Sequence, residues 1–424
     1  MIDPGPGVPP HVAMLLNENF DLSDPKLVIR RLRSMLRELK DQADVGSFEA
    51  LPGLEPGSSE FRAVLSGGLD LFADTGACQA FVCRIGYADQ IARTIALMSD
   101  KVTAHDFFFE RIHSLRSRPT NAELMRLASD VAILHRMRPL IEAGLLKLTS
   151  PFLPTCSSCM THFDERVQRL GEQAVARFGL QATVERSDNG GFVELPQVYD
   201  PPVYMHFSGS SVGSLSDEDI KAYFINQAVR SAAWDARSAG WISGSLFSNS
   251  PAGISALVSA EGQDLTSHDF RAFTAERTAN LPWIGGLTIE QTLSLREAAS
   301  AALPRLREFM ARRLVGASTS ENDSWVDTVA ELREQAEQVR AELRIVTARS
   351  QSLRRNSVGV LGLAVSAACL VTDGPGSALG GLVGTLGLVH GVGAGSSPHA
   401  LELRTRPGYV LVAASDILQH AEAN

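Results

Sequence analysis

The chain has 424 residues, of which 44% are hydrophobic and 21% are charged, and its formal net charge is −9 at pH 7. This length allows two or three domains with buried cores, and the composition excludes wholesale disorder. The acidic charge argues against broad nucleic-acid binding, which depends on Lys and Arg neutralising phosphates. It also argues against attraction of the whole molecule to anionic lipid.

The N-terminal segment and the cysteine content indicate a reducing compartment. Residues 1–10 are rich in proline and lack the basic and apolar regions of a signal peptide. Five cysteines, an odd and sparse set, fit reduced thiols better than a disulfide framework. We therefore expect a cytoplasmic protein, in which membrane association depends on an apolar segment near the C-terminus.

The first part of the chain is predicted to be mostly helical. Residues 1–22 are expected to form an extended leader, and the helical region is expected to cover 23–150. A helix start is indicated at 23–25, where a capping residue precedes a proline in the first turn. Helices are expected through most of 61–144, and a weak alternation predicts a short strand over 145–149.

The middle region, residues 151–286, combines helices with antiparallel strands. Two strands, 183–186 and 192–195, flank a turn of residues that tolerate positive φ, which predicts a hairpin. A third strand is predicted at 203–207, and Ser216 opens a helix as part of a capping box. The fold class expected for the whole chain is α+β and predominantly α-helical, with small antiparallel sheet elements in the middle.

The C-terminal region, residues 287–424, contains a predicted heptad helix over 324–355. Thr288 opens a preceding helix that is expected to run to about residue 314 with a kink at Pro304. A short strand is expected at 408–412. The seam of the heptad helix suits packing within the chain or association of two copies. Its positions are Trp325, Val329, Leu332, Ala336, Val339, Leu343, Val346, Ser350 and Leu353.

Residues 357–395 are predicted to form an apolar helical hairpin around a Gly-Pro turn. Small residues on one face of each helix would let the two backbones pack closely. The first leg has 14 residues, or about 21 Å, and is therefore short for a hydrocarbon core of about 30 Å. The hairpin is either buried in the protein core or in contact with a membrane. The glycines expected to pack are Gly359, Gly362, Gly380, Gly384, Gly387 and Gly391.

One motif has the residue types of a zinc site. Cys156, Cys159 and His162 could supply three ligands to a tetrahedral ion, since thiolates and imidazoles are the ligands that zinc prefers. No second CxxC pair is present, so the alternative is a turn with two thiols that bind nothing. Zinc is the only cofactor that the sequence suggests.

A second motif matches the nucleophile elbow of serine hydrolases. Ser211 lies in a G-x-S-x-G pattern between a predicted strand and a predicted helix. However, the helix cap lies five residues further on, and His268 is the one later histidine that could serve as a base. A Gly/Ser loop is the alternative interpretation.

These patterns favour a cytoplasmic interaction or effector protein whose hairpin mediates association with a protein partner or a membrane. The alternatives are a hydrolase that uses Ser211 and a zinc-stabilised structural protein. Nucleic acid is not an expected partner, and homo-oligomerisation through the heptad seam is left open. The sequence assigns no catalytic residue and no bound cofactor other than the zinc alternative.

Overall fold

The structure, a computed structural model, divides the chain into two compact units, Met1–Thr292 and Leu293–Asn424. The first unit contains eight of the named helices and all seven strands of the described part of the chain. The described residues are 2–3, 7–45, 61–72, 81–149, 156–187, 190–196, 198–199, 203–208, 215–242, 244–248, 250–259, 286–309, 330–346 and 398–422.

Eight helices provide most of the first unit, and apolar residues at helical spacing bury one side of each long helix. In α2, for example, Val28, Leu32, Leu36 and Leu39 are buried, whereas the arginines between them lie largely in solvent. The helices are α1 (Pro10–Asn17), α2 (Pro25–Val45), α3 (Phe81–Met98), α4 (Phe107–Ser114), α5 (Asn121–Glu142), α6 (Ser157–Phe178), α7 (Asp217–Trp241) and α8 (Pro251–Ser259).

A four-stranded parallel sheet lies in the first unit. Its strands are β1 (Arg62–Ser66), β2 (Lys101–His105), β3 (Leu146–Thr149) and β7 (Ser245–Ser248), in the spatial order β3-β2-β1-β7. The chain moves outward from β1 to β2 and β3, and it later returns to place β7 on the opposite side of β1. The direction of winding therefore reverses between β1 and β7, where open parallel sheets generally bind ligands beyond the carboxyl ends of the strands.

Helix α7 covers one face of this sheet. Val64 on β1 and Leu246 on β7 are paired in register and belong to one apolar cluster with Ala232, Ala233 and Ala236 on α7. Small alanine side chains allow the helix to approach the strands closely. This close approach brings polar residues of α7 within reach of the ends of the strands.

A second, antiparallel sheet consists of β4 (Thr183–Ser187), β5 (Gly190–Leu195) and β6 (Val203–Ser208), with β5 in the centre. Its inward residues Val193, Leu195 and Phe207 share an apolar core with α6, α7 and α8. Helices α6, α7 and α8 contribute to the apolar clusters on both sheets, so the sheets belong to one folded body.

The second unit is described over three stretches. Helix α9 (Ile289–Ala298) begins just before the boundary of the unit, and the others are α10 over 303–309, α11 over 330–346, α12 (Pro398–Leu403) and α13 (Tyr409–Glu422). Gly408 lies so close to the α11 backbone that an added Cβ would approach Ala336 N within 2.6 Å. Arg406 donates to Glu342 Oε1 of the same helix at 3.0 Å. The described part of the heptad helix therefore packs within its own chain.

Most of the elements predicted from local patterns are present. The α+β, predominantly helical class is confirmed, as are the hairpin of β4 and β5, the third strand β6 and the short strand β3. Ser216 Oγ accepts a hydrogen bond from the Asp219 N–H, as its predicted capping role requires. In α11 the seam residues Leu332 and Val339 are buried, and α11 lies inside the predicted range 324–355.

Three expectations need correction. Residues 1–22, expected to be extended, contain α1, whose Val12, Leu15 and Leu16 are buried. The boundary expected at residue 150 falls inside the first compact unit, because β7 pairs with β1. Helices do provide most of 61–144, as expected, and the short strands β1 and β2 lie between them. The strand expected at 408–412 is instead the start of α13.

The helix expected to run from 289 to 314 is interrupted before its proline. Helix α9 ends at Ala298, and the chain turns at 299–302 before α10 includes Pro304 near its start. Proline at the start of a helix has no hydrogen bond to lose, so the break falls ahead of Pro304. No helix within the described ranges is long and apolar enough to cross a bilayer.

Candidate active site

A row of polar side chains crosses the carboxyl edge of the parallel sheet. Each of the four strands ends on a polar residue: Thr149 on β3, His105 on β2, Ser66 on β1 and Ser248 on β7. His105 is paired in register with Thr149, and Ser66 with Ser248. Val64 is paired with Thr103, two residues earlier on β1 and β2, so Ser66 and His105 also share a face. We call these four residues the polar edge row.

Asp235 of α7 contacts the row directly. Its Oδ1 lies 2.9 Å from His105 Nε2, and its Oδ2 accepts a hydrogen bond from Ser231 Oγ at 3.3 Å. Burial is the largest influence on His105 and opposes its charged form. The hydrogen bond and the charge of Asp235, together with the charges of Asp70 and Glu110, outweigh it, so the pKa of His105 is raised. Asp235 thus orients the imidazole and favours its protonated form.

Three atoms of the polar edge row are buried without a hydrogen-bond partner among the described residues. They are Ser66 Oγ, His105 Nδ1 and Thr149 Oγ1. Ser66 and His105 are 0% and 2% exposed, so solvent does not supply the missing bonds at their surface. Leaving a buried polar atom unpaired costs about 1–3 kcal/mol, and natural folds rarely accept several such atoms together. Their concentration at one edge of the sheet is typical of a functional site.

Asp70 is a further buried acid at this edge. Gly67, the residue directly after β1, has a φ of 62°, which lets the chain turn sharply and carry Asp70 back into the interior. Asp70 Oδ1 accepts from the Phe72 N–H at 3.2 Å, whereas Oδ2 has no partner within the described chain. Burial raises the pKa of Asp70 to about 6, and the charges of His105 and Asp235 act on it in opposite directions.

A buried arginine, Arg84, and a partly buried one, Arg111, hold the segment that carries Asp70. Arg84 of α3 donates to the Leu71 carbonyl, and Arg111 of α4 donates to the Phe72 carbonyl. Asp130 of α5 joins the two guanidinium groups, at 2.6 Å from Arg84 and 2.5 Å from Arg111. Because α3, α4 and α5 all contribute, the path of the chain after β1 is fixed by three helices.

The N-terminal helix α1 contacts the residue that follows β2 at the same edge of the sheet. Asp106, the residue after His105, accepts a hydrogen bond from the Phe108 N–H and caps α4. Its other oxygen lies 2.8 Å from Nε2 of buried His11 in α1. The segment expected to be an extended leader therefore supports the end of β2.

The predicted zinc ligands lie at the exposed start of α6. Cys156 is the N-cap residue, and its sulfur accepts a hydrogen bond from the Cys159 N–H at 3.4 Å. This bond lowers the pKa of Cys156, whereas the neighbouring Cys156 sulfur raises the pKa of Cys159. The His162 side chain is 75% exposed and lies 3.8 Å from Glu165. Among the described residues, no three His, Cys, Asp or Glu side chains are grouped to hold a metal ion.

Other predicted residues lie outside the described part of the chain. These are Ser211 with its G-x-S-x-G segment, His268 and all six glycines of the hairpin over 357–395. The hydrolase and hairpin interpretations therefore remain predictions.

Comparison with known proteins reveals no relationship. No protein family matches the chain, and no curated protein or solved structure shows significant similarity to it. The polar edge row and the position of the sheet reversal are therefore the observations on which a function can be argued.

The sequence analysis did not identify Ser66, Asp70, His105 or Asp235. The available signal was the recurrence of short apolar runs ending in a polar residue, as in Ala63–Ser66 and Val102–His105. A strand buried on both faces has no alternation, so periodicity does not distinguish it from a piece of a buried helix. Asp235 gave no signal because its helix position is 130 residues from His105.

Proposed function

We propose that residues 1–292 form an enzyme that binds a small polar molecule at the carboxyl edge of the parallel sheet and transfers protons to and from it. The single observation that carries this proposal is the group of buried, unpartnered polar atoms on Ser66, His105 and Asp70. Ser66 ends β1, one of the two strands between which the sheet reverses its winding, and His105 ends the neighbouring strand β2; parallel sheets generally bind ligands at such a reversal.

His105 is the proposed general acid–base residue. Asp235 occupies its Nε2, which leaves Nδ1 as the nitrogen that can exchange a proton with a bound molecule. Asp70 is the proposed second acid, because a carboxyl with a pKa of about 6 has both protonation states available near neutral pH. The Ser66 hydroxyl would hydrogen-bond the molecule between them.

The proposed site is closed in this structure, since Ser66, Asp70, His105 and Asp235 are all at most 4% exposed. Binding therefore requires a local opening of the chain over the carboxyl edge. Such openings are common in enzymes that exclude water from the reaction. The alternative is that the buried acids and His105 are a purely structural network, and the experiment below distinguishes the two.

A thermal-shift screen tests the proposal. Full-length protein would be heated with nucleotides, sugar phosphates, amino acids and organic acids, each supplied separately. A ligand at 100 times its Kd stabilises the folded state by about 2.7 kcal/mol, which corresponds to a rise in Tm of about 4 °C for this unit. We expect at least one class of compound to give such a rise and Ser66→Ala to reduce it at least by half.

Ser238→Ala is the matched control, because Ser238 is an equally buried serine on α7 whose Oγ donates to the Trp234 carbonyl. The control should retain the ligand-induced rise in Tm. A screen in which no compound stabilises the wild type, or in which Ser66→Ala responds like the wild type, would contradict a ligand site at the edge row.

We propose secondly that the C-terminal part of the protein associates with a partner or a membrane through the hairpin predicted over 357–395. The proposal rests on the two ridges of small residues in the sequence, since a helix as rich in glycine as the second leg needs surroundings that stabilise it. Full-length protein and a form lacking 357–395 would be floated with liposomes. We expect only the full-length protein to float. Equal behaviour of both forms would contradict a membrane role, and a protein partner would then be sought with the same pair.

A further inference from the structure

Helix α6 begins with two exposed cysteines one helical turn apart. Cys156 is the N-cap residue, Cys159 lies in the first turn, and both side chains are exposed. The Cys159 N–H donates to the Cys156 sulfur at 3.4 Å, so that sulfur already lies over the first turn of the helix. The 22-residue helix continues well beyond them and is packed against α7, which gives the pair a rigid base.

This arrangement is compatible with a disulfide. Residues three apart on a helix have their Cβ atoms about 5–6 Å apart, and a disulfide joins Cβ atoms about 3.5–4.5 Å apart. A small rearrangement of the first turn is sufficient to close the bond. Because Cys156 precedes the helix, its backbone can move without breaking the hydrogen bonds of the later turns.

We propose that Cys156 and Cys159 form a reversible disulfide by thiol–disulfide exchange with a low-molecular-weight disulfide. The Cys156 thiolate attacks one sulfur of the small disulfide, forms a mixed disulfide and releases one small thiol. The Cys159 thiol then loses its proton and attacks the Cys156 sulfur, which releases the second small thiol. The protein loses two protons and two electrons, and the small disulfide gains them.

The geometry assigns the first attack to Cys156. It lies at the end of the helix where the free N–H groups favour negative charge, and its sulfur already accepts one of them. Cys159 lies in the first turn of the helix, with its N–H 3.4 Å from that sulfur, so it is close enough to resolve the mixed disulfide. This site is separate from the polar edge row, so the inference does not depend on the proposed enzyme.

Oxidised glutathione is a suitable probe. Full-length protein would be reduced, treated with a chelator, incubated with oxidised glutathione and then blocked with an alkylating reagent. Trypsin releases both cysteines in one peptide, because no Lys or Arg lies between Lys147 and Arg166. Mass spectrometry of that peptide should show the loss of two hydrogens without bound glutathione.

Three variants identify the steps. Cys159→Ser should accumulate the glutathione adduct on Cys156, because the resolving thiol is missing. Cys156→Ser should react at Cys159 at a rate lower by about tenfold or more. Cys83→Ser is the control, since Cys83 is a third exposed thiol, and it should form the Cys156–Cys159 disulfide like the wild type.

Several results would overturn the proposal. These are stable glutathione on the wild-type peptide, a disulfide from Cys156 to another peptide or a second chain, and equal reaction rates in Cys156→Ser and Cys159→Ser. Metal analysis before chelation is a further test. If it finds about one zinc per chain, and if both serine variants lose that zinc, the two cysteines belong to the predicted metal site instead.

Discussion

Replacing Asp130 with asparagine is expected to lower the free energy of unfolding by about 3–5 kcal/mol. Asp130 is 0% exposed and accepts from Arg84 and Arg111, and Arg84 is itself only 1% exposed. An asparagine retains the shape but not the charge, so the buried guanidinium of Arg84 loses the carboxylate that neutralises it, and Arg111 loses its ion pair with residue 130. Removing one partner of a buried ion pair costs far more than the pair contributes, because the remaining charge cannot be hydrated.

The loss should extend to the candidate active site, because these arginines also donate to the carbonyls of Leu71 and Phe72, the two residues that directly follow Asp70. Hydrogen exchange of the amides over 69–72 should therefore accelerate in Asp130→Asn. Urea denaturation gives the change in stability through the midpoint and slope of the transition.

Glu142→Gln is the matched control on the same helix. Glu142 also pairs with an arginine, Arg138, at 2.7 Å, but the two side chains are 49% and 36% exposed. Exposed pairs contribute about 0–1 kcal/mol, so this variant should remain within that range of the wild type. If both variants lose a similar amount of unfolding free energy, the buried ion pairs of Asp130 do not stabilise the fold more than an exposed pair does.

Replacing Asp70 with asparagine should instead stabilise the protein at neutral and alkaline pH. The pKa of Asp70 is about 6 in the folded protein against 3.8 for an ordinary aspartate in the unfolded chain, and this difference corresponds to about 3 kcal/mol. The folded state holds the proton more tightly than the unfolded state. Its extra stability is therefore complete below pH 3.8 and is lost as the pH rises through about 6.

Wild-type protein should accordingly become less stable between about pH 4 and pH 7, and most of this dependence should disappear in Asp70→Asn. At pH 8 the variant should be more stable by up to about 3 kcal/mol, because it does not bury a charge beside Asp235. The raised pKa of His105 acts in the same direction, so a smaller slope should persist in the variant. Denaturation in urea at several pH values measures both profiles.

Asp164→Asn is the control for this series, since Asp164 is 47% exposed in its pair with Arg230 and should retain the wild-type pH profile. An Asp70→Asn protein with an unchanged profile would show that Asp70 is ionised in the folded state throughout this range. If Asp70→Asn is more stable than the wild type but no longer binds a ligand found by thermal shift, then the stability lost by burying the Asp70 carboxylate serves ligand binding. Sites that sacrifice stability in this way are commonly functional.

Local elements were determined by the sequence itself. The hairpin of β4 and β5 was predictable because its turn residues and its alternation lie within 13 residues of one another. The start of α7 at Ser216 was predictable because a cap is a hydrogen bond between residues three apart. The helix over 330–346 was also predictable from a local signal, because its apolar seam recurs every three or four residues.

The parallel sheet and the candidate active site were decided only by tertiary structure. Strands β1, β2 and β7 are four or five residues long, and a buried parallel strand carries no alternation that identifies it. Parallel strands also join only through long connections, so β7 reaches β1 across about 180 residues of chain. His105 and Asp235 meet because α7, packed by alanines, comes close to the end of β2. That contact depends on the packing of elements far apart in the chain, and neither residue indicates it alone.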